Sequence, residues 1–168
     1  MPTVFVDLDA TLVCTRQLKL FEAVHAKEKQ FWYSFRRFGT SARPGAHEFL
    51  GSLHEHYEIH ILTYGYSKFQ KRVLKELNLL EHISEVYGVD NWDTLARPER
   101  FVLIDDMPRN SILIRHKMDW LGKNKFCMSE KEFDLILDKH HIQCDPFEGM
   151  ESVASLSDLL PQIHQYLE

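Results

Sequence analysis

Three short stretches, Thr3–Leu8 (TVFVDL), Glu58–Thr63 (EIHILT) and Phe101–Asp105 (FVLID), constrain the fold of this chain more than any other feature. Each is a nearly continuous apolar run, the pattern of a strand buried on both faces of a parallel sheet. Helical patterns lie between and after them. Ala46, Phe49, Leu50 and Leu53 share one helical face after Pro44, a residue that suits a first helical turn. Ser67-Lys-Phe-Gln70 and Ser129-Glu-Lys-Glu132 read as capping boxes that open two further helices. Leu156–Leu167 reads as a closing helix capped by Ser155 or Ser157, with Pro161 in its first turns.

Strands alternating with helices predict an open α/β fold with a mostly parallel sheet. At 168 residues and 44% hydrophobic content the chain can bury one sizeable core, so residues 1–168 are read as a single domain. One segment breaks the alternation. Gln30–Arg43 (QFWYSFRRFGTSAR) mixes five aromatic residues with three arginines ahead of a Gly-Thr-Ser turn. It predicts a two-stranded flap or an aromatic loop within an insert over about residues 16–43. Arg36, Arg37 and Arg43 are candidates to hold a second phosphate of a substrate, and Phe31, Trp32 and Tyr33 to stack a base or grip a peptide. Solvated arginines over core aromatics are the competing reading.

A net charge of −5 offers no general attraction to nucleic acid or to an anionic membrane. Cys14, Cys127 and Cys144 are too few and too scattered for a disulfide framework or a structural zinc site, so a reducing, cytoplasmic setting is expected. The first residues lack the charged and apolar regions of a signal peptide, and no stretch reaches the roughly 18 apolar residues of a membrane span. The ten histidines carry no recognisable ligand spacing and read as surface or core residues.

In open α/β folds, ligands sit beyond the carboxyl ends of the strands. Each of the three apolar runs ends there in a residue with chemistry: Asp7, Thr63 and Asp105. Phosphate-monoester hydrolysis needs an in-line nucleophile, charge neutralisation by a metal and a proton donor for the leaving oxygen. Asp7 can reach a phosphorus from the strand end, and Asp9, two residues on, can stand beside the leaving group. Mg²⁺ takes hard oxygen ligands and keeps several waters, so a few carboxylate or carbonyl oxygens suffice. Asp7, Asp106 and the Asp9 carbonyl are candidates, and Thr63 offers a hydroxyl and an amide to the phosphoryl oxygens.

These segments carry a resemblance. DLDATLV, ILTYG and VLIDDMP resemble the three best-marked motifs of the haloacid dehalogenase superfamily. With RPGAHEFL between the first two, their order and spacing are similar to the small carboxy-terminal-domain phosphatase branch, the NLI-interacting-factor-like group, over roughly residues 3 to 110. The resemblance implies a Rossmann-like sheet flanked by helices. It also implies an Mg²⁺-dependent phosphatase working through an aspartyl-phosphate: Asp7 as nucleophile and metal ligand, Asp9 as general acid/base and part of the metal site, Thr63 as phosphate binder, and Asp105 with Asp106 as metal-anchoring acids. Phosphatases of the superfamily keep the second aspartate, which the dehalogenases lack. Position 10 is Ala where the family commonly has Gly or Glu. The family's lysine, expected between Thr63 and Asp105, has no clear match, because no Lys lies between Lys75 and Asp105. Arg97, ahead of Arg100, Lys68 and Lys71, is expected to replace it.

The intervals between the motifs leave little room for a separate cap domain, so the site is expected to be open. An open site favours a macromolecular phosphoester such as a phosphoprotein or a nucleic-acid end, unless a flap or a second subunit covers it, and a phosphoprotein is placed slightly ahead of a nucleotide or polynucleotide phosphate. A non-catalytic phosphate- or magnesium-binding module is the reading from another class; retention of both Asp7 and Asp9 speaks against it. Oligomeric state is not legible.

Overall fold

A computed structural model describes residues 1–117, 129–149 and 154–168; Cys127 lies outside them. The three apolar runs form the centre of a parallel sheet. They are β1 (Thr3–Val6), β5 (Glu58–Leu62) and β7 (Phe101–Asp105), with β1 paired to both of the others. Short β6 (Glu85–Tyr87) extends the sheet beyond β5, and β8 (His141–Gln143) beyond β7, giving the order β6-β5-β1-β7-β8. After β1 the chain builds one side of the sheet and then crosses to the other. The cleft between the two directions therefore opens at the carboxyl end of β1.

Side-chain alternation sends β1 into two cores. Val4 and Val6 pack with Phe49, Leu50 and Leu53 of α1 (Ala46–His54), Val73 and Leu74 of α2 (Ser67–Glu76), and Ile163 and Leu167 of α5 (Leu160–Leu167). Phe5 faces the other way, onto Trp92, Phe101, Ile112 of α3 (Arg109–Lys117) and Phe133 of α4 (Glu130–His140). All four residues of β1 are buried. Burying each such Val or Phe contributes roughly 1.5–3 kcal/mol, so the central strand is the best anchored part of the fold.

Of the two expected capping boxes, one forms. Ser129 and Glu132 exchange the reciprocal bonds that start α4. Ser67 does not cap α2; Tyr66 is the capping residue and makes no side-chain bond. The carboxylate of Asp90, from the loop after β6, takes over that task. It accepts from the Ser67 amide and hydroxyl, both at 2.7 Å, which places a negative charge at the helix N-terminus. Gln70 is thereby released for another partner. Pro44 likewise stands ahead of its helix, with Gly45 at φ 78° as the cap of α1. Ser155 accepts from the Ser157 amide at the start of a 3-10 turn over Leu156–Leu159, which leads into α5 with Pro161 in its first turn.

The expected two-stranded flap is a three-stranded antiparallel sheet that starts earlier in the chain. It comprises β2 (Val13–Gln17), β3 (Lys29–Tyr33) and β4 (Arg36–Ala42) in the order β2-β4-β3. The Val13–Gln17 run (VCTRQ) carries one apolar residue beyond Cys14 and signals a strand weakly; pairing along β4 makes it one. Beyond this sheet, only α2, two 3-10 turns and β6 separate β5 from β7, and no large cap is present among the described residues. No helix among them is long and apolar enough to cross a membrane.

Candidate active site

The site is built where the strands stop. After Val6, Asp7 and Leu8 continue the strand direction, and then the Leu8 carbonyl accepts the amides of Leu12 and Val13 at 3.0 and 3.1 Å. The turn so closed holds Ala10 at φ 64°, a left-handed conformation that costs an L-residue about 1–2 kcal/mol. The turn keeps Leu8 and Leu12 in the core while carrying Asp9 out beside the cleft.

At the end of β7 the Met107 amide donates to Asp105 Oδ1 at 2.8 Å. Thr11 joins the two loops. Its hydroxyl donates to Asp106 Oδ1 at 3.1 Å and accepts the Asp106 amide at the same distance. At the end of β5, Thr63 is 1% exposed. Its carbonyl accepts from the buried Trp92 indole at 3.0 Å, and its hydroxyl accepts from the Gly65 amide at 3.2 Å. That hydroxyl keeps its own proton to donate.

Asp7, Asp9, Ala10, Thr63, Tyr64, Asp105, Asp106, Met107 and Arg115 line one cavity of about 210 Å³. Volume alone does not single it out. A hollow of about 520 Å³ lies at the opposite, amino end of the strands, lined by Thr3, Glu58 and Arg100 among others, and gathers no comparable set of reactive groups. The acids in the smaller cavity disturb one another. Burial raises the Asp106 carboxyl above the ordinary carboxylate range and Asp105 adds to the rise, while the Thr11 hydroxyl and Arg115 oppose it. Asp9 is raised chiefly by loss of solvent; the Gln70 amide opposes this and Asp106 adds to it. Though residue Asp9 is exposed overall, its Oδ2 accepts from Gln70 Nε2 at 2.7 Å, and Gln70 is 2% exposed. The carboxyl therefore feels a drier environment than the residue as a whole.

Oxygens of Asp7, Asp105 and Asp106 lie within 4.8 Å of one another, and among the described residues this is the one acidic or histidine cluster with metal-ligand spacing. An all-oxygen set of this kind fits Mg²⁺. The Asp9 carboxylate is not in that cluster; it faces Gln70 instead.

Of the residues expected from sequence, Asp7, Asp9, Thr63, Asp105 and Asp106 share the cavity, and Arg97 does not. Arg97 lines a separate hollow with Phe101, Glu132 and His140, near the start of β7. A strand rises about 3.3 Å per residue, so five residues of β7 put Arg97 at the wrong end of the sheet. Arg43 is also misassigned as a phosphate holder. It is 2% exposed, and its guanidinium donates to the carbonyls of Thr11, Asp145 and Ala154, tying the turn after β1 to the C-terminal segment. Arg37 donates to the carbonyls of Leu20 and Glu22. Arg36 lines a groove of about 690 Å³ with Tyr33, Phe38, Tyr66, Lys68 and Phe69, adjoining the site at Gln70.

Two residues of the site escape sequence reading. Gln70 was assigned to a cap, and only the fold shows that Asp90 displaces it. Arg115 lies beyond the last motif, on the second turn of α3, where no local pattern marks it. Gly65 serves Gln70, because a Cβ there would fall 2.1 Å from Gln70 Nε2.

The described residues match the structure of a variant of fission yeast RNA polymerase II CTD phosphatase Fcp1 bound to beryllium fluoride, with 18% identity, a TM-score of 0.57, and 99% of this chain and 50% of that chain covered. A second structure of Fcp1, an essential RNA polymerase II CTD phosphatase, gives 17% identity, a TM-score of 0.53, and coverage of 99% and 48%. The chain thus spans about half the length of these structures, and the likeness establishes the haloacid-dehalogenase-type fold. No curated protein sequence matches the chain. The sequence profile of the NLI interacting factor-like phosphatases matches residues 2–118, from β1 through α3 and so across every strand end that forms the cavity, and the chain belongs to that family of phosphatases.

Proposed function

We propose that this phosphatase is Mg²⁺-dependent, hydrolyses phosphate monoesters through an aspartyl-phosphate on Asp7, and acts on a phosphoprotein. The observation that carries the reading is the meeting of Asp7, Thr63 and the Asp105–Asp106 pair in one cavity with a second, separately held acid, Asp9. Asp7, Asp105 and Asp106 would hold the metal, which when bound supplies neutralisation of the phosphate and carboxylate charges.

An Asp7 carboxylate oxygen attacks phosphorus in line, and the P–O bond to the leaving group breaks. Asp9 gives its proton to the leaving oxygen; its raised carboxyl is suited to carry that proton. The ionised Asp9 then takes a proton from water attacking the aspartyl-phosphate, which returns Asp7 and releases phosphate. Thr63 donates its hydroxyl to a phosphoryl oxygen throughout. Thr11 holds the Asp106 loop against the Asp7 turn, so the two acids need no rearrangement as charge develops.

The cavity of about 210 Å³ has room for a phosphoryl group, and it opens beside the aromatic groove of about 690 Å³. A phosphoprotein would place its phosphorylated side chain in the first and its flanking residues along the second. The CTD phosphatase activity of the Fcp1 structures supports the same substrate class. Scattered cysteines support a cytoplasmic location.

The test is hydrolysis of p-nitrophenyl phosphate with and without Mg²⁺, alongside Asp7→Asn. Turnover that disappears both on chelation and in the variant, with the melting temperature retained, is the expected result. Activity persisting in Asp7→Asn would refute the mechanism. A panel of phosphopeptides, nucleotides and phosphorylated oligonucleotides then ranks substrates, with phosphopeptides expected first.

A further inference from the structure

We propose that Arg115 is the phosphate-binding cation of this site, replacing from α3 the lysine that the family carries ahead of β7. The inference rests on the phosphatase reading above and adds a residue to it.

Charge balance demands such a group. Four carboxylates, those of Asp7, Asp9, Asp105 and Asp106, line the cavity that must admit a phosphate dianion. With Asp9 carrying the proton it gives to the leaving oxygen, one Mg²⁺ offsets two of the remaining three charges, which leaves the ester repelled unless a fixed cation faces it. Among the described residues Arg115 is the only lysine or arginine lining the cavity.

Its placement suits the task. The guanidinium carbon stands 5.0 Å from the centroid of the Tyr64 ring, and Tyr64 directly follows Thr63, the expected phosphate binder. Stacking on an aromatic face steadies a flexible side chain and leaves the edge N–H groups turned outward, where they match two phosphoryl oxygens at once. The other arginine of α3 shows the contrast. Arg109 is committed to Asp134 and Asp138 of α4, at 2.5 and 2.7 Å, and works as a structural clamp. Arg115 has no salt-bridge partner among the described residues.

The same helix explains why the substitution is possible. Pro108 follows the two acids and α3 begins at Arg109, so its second turn rises beside the mouth of the cavity. An arginine there reaches the cavity from the β7 side.

The experiment measures binding of inorganic phosphate by calorimetry, at saturating Mg²⁺, for the unaltered protein and for Arg115→Met, Arg115→Lys and Arg97→Ala. Methionine keeps the apolar packing on Tyr64 without the charge. Arg115→Met is expected to weaken phosphate binding by about tenfold or more with an unchanged melting temperature, and Arg115→Lys to recover part of the loss. With p-nitrophenyl phosphate, KM should rise in Arg115→Met in parallel. Equal phosphate affinity in Arg115→Met and the unaltered protein overturns the proposal, as does a loss that appears in Arg97→Ala instead, or an unaltered protein that binds no phosphate. Turnover lost in Asp7→Asn judges the phosphatase mechanism separately, so the two readings fail independently.

Discussion

The acid cradle and the three-stranded flap are neighbours built on opposite principles. The cradle hangs from β1, β5 and β7, whose residues are buried almost without exception, and each reactive group is held by backbone turns or by hydroxyl and amide partners. The flap instead buries Phe31, packs Tyr33 and Phe38 partly buried beside it, and carries its other two aromatic residues outward. Trp32 is largely exposed and Phe35 fully so, at the tip of a two-residue hairpin between Tyr33 and Arg36. Both tip residues, Ser34 and Phe35, have positive φ, the signature of a turn for which Asn-Gly is the comfortable sequence. In the cradle, strain at Ala10 closes the turn that carries Asp9 to the cavity. In the flap, strain at Phe35 presents a large apolar side chain to solvent, where it adds nothing to the core. On the proposed function, chemistry is lodged where the strands are buried, and recognition of a large substrate where the flap is exposed.

The largest effect that tests this division is Asp9→Asn, expected to lower kcat by about 10²–10⁴-fold on any substrate while leaving the fold intact. A deficit confined to phosphopeptides would contradict the separation of chemistry from recognition. Gln70→Ala comes next, with about a tenfold fall in kcat, or about 1.4 kcal/mol in barrier. The Gln70 amide stabilises the charged form of Asp9, so its loss raises the carboxyl further. The limb of the pH–rate profile that reports protonated Asp9 should then move to higher pH; an unmoved or acid-shifted limb would show that Gln70 does not act through Asp9.

Replacing Ser34-Phe35 by Asn-Gly addresses the flap. Chemical denaturation should show a gain of about 1 kcal/mol from relief of the left-handed Phe. Turnover of p-nitrophenyl phosphate should hold, while that of phosphopeptides falls. Equal loss on both would place the flap in the chemical step. The smallest effect is expected for Ala10→Gly: a change of about 1 kcal/mol or less, because relieved strain is offset by the greater freedom of glycine in the unfolded chain.

The pH dependence of stability sharpens the electrostatic side. Asp9 and Asp106 are both raised in the folded state, so they favour folding when protonated, below the usual carboxylate pKa. That contribution is lost as pH rises through their folded values. Metal-free protein should gain thermal stability on Asp106→Asn at neutral pH, and the gain should shrink as pH is lowered toward the carboxylate range.

Much of this was legible without coordinates. Buried parallel strands must be apolar on both faces, so β1, β5 and β7 announce themselves, and a polar residue at the carboxyl end of such a strand has nowhere to go but the cleft. Asp7, Thr63 and Asp105 stand at such strand ends, while Asp9 and Asp106, their neighbours in sequence, are singled out by the chemistry expected there and by the family resemblance. What the chain does not announce is whatever depends on a partner distant in sequence. Asp90 displaces Gln70 from its capping role across 23 residues of chain, and Gln70 then meets Asp9 across 61. Arg97 lies closer in sequence to where the family lysine belongs, yet the length of β7 carries it to the far end of the sheet, while Arg115 comes back on α3. β2 becomes a strand only because β4 pairs with it, and Arg43 becomes a staple only because three carbonyls converge on it. Local pattern decides which residues are buried and where strands end; which charges and amides then face each other is decided by the packing of elements, which no window of sequence contains.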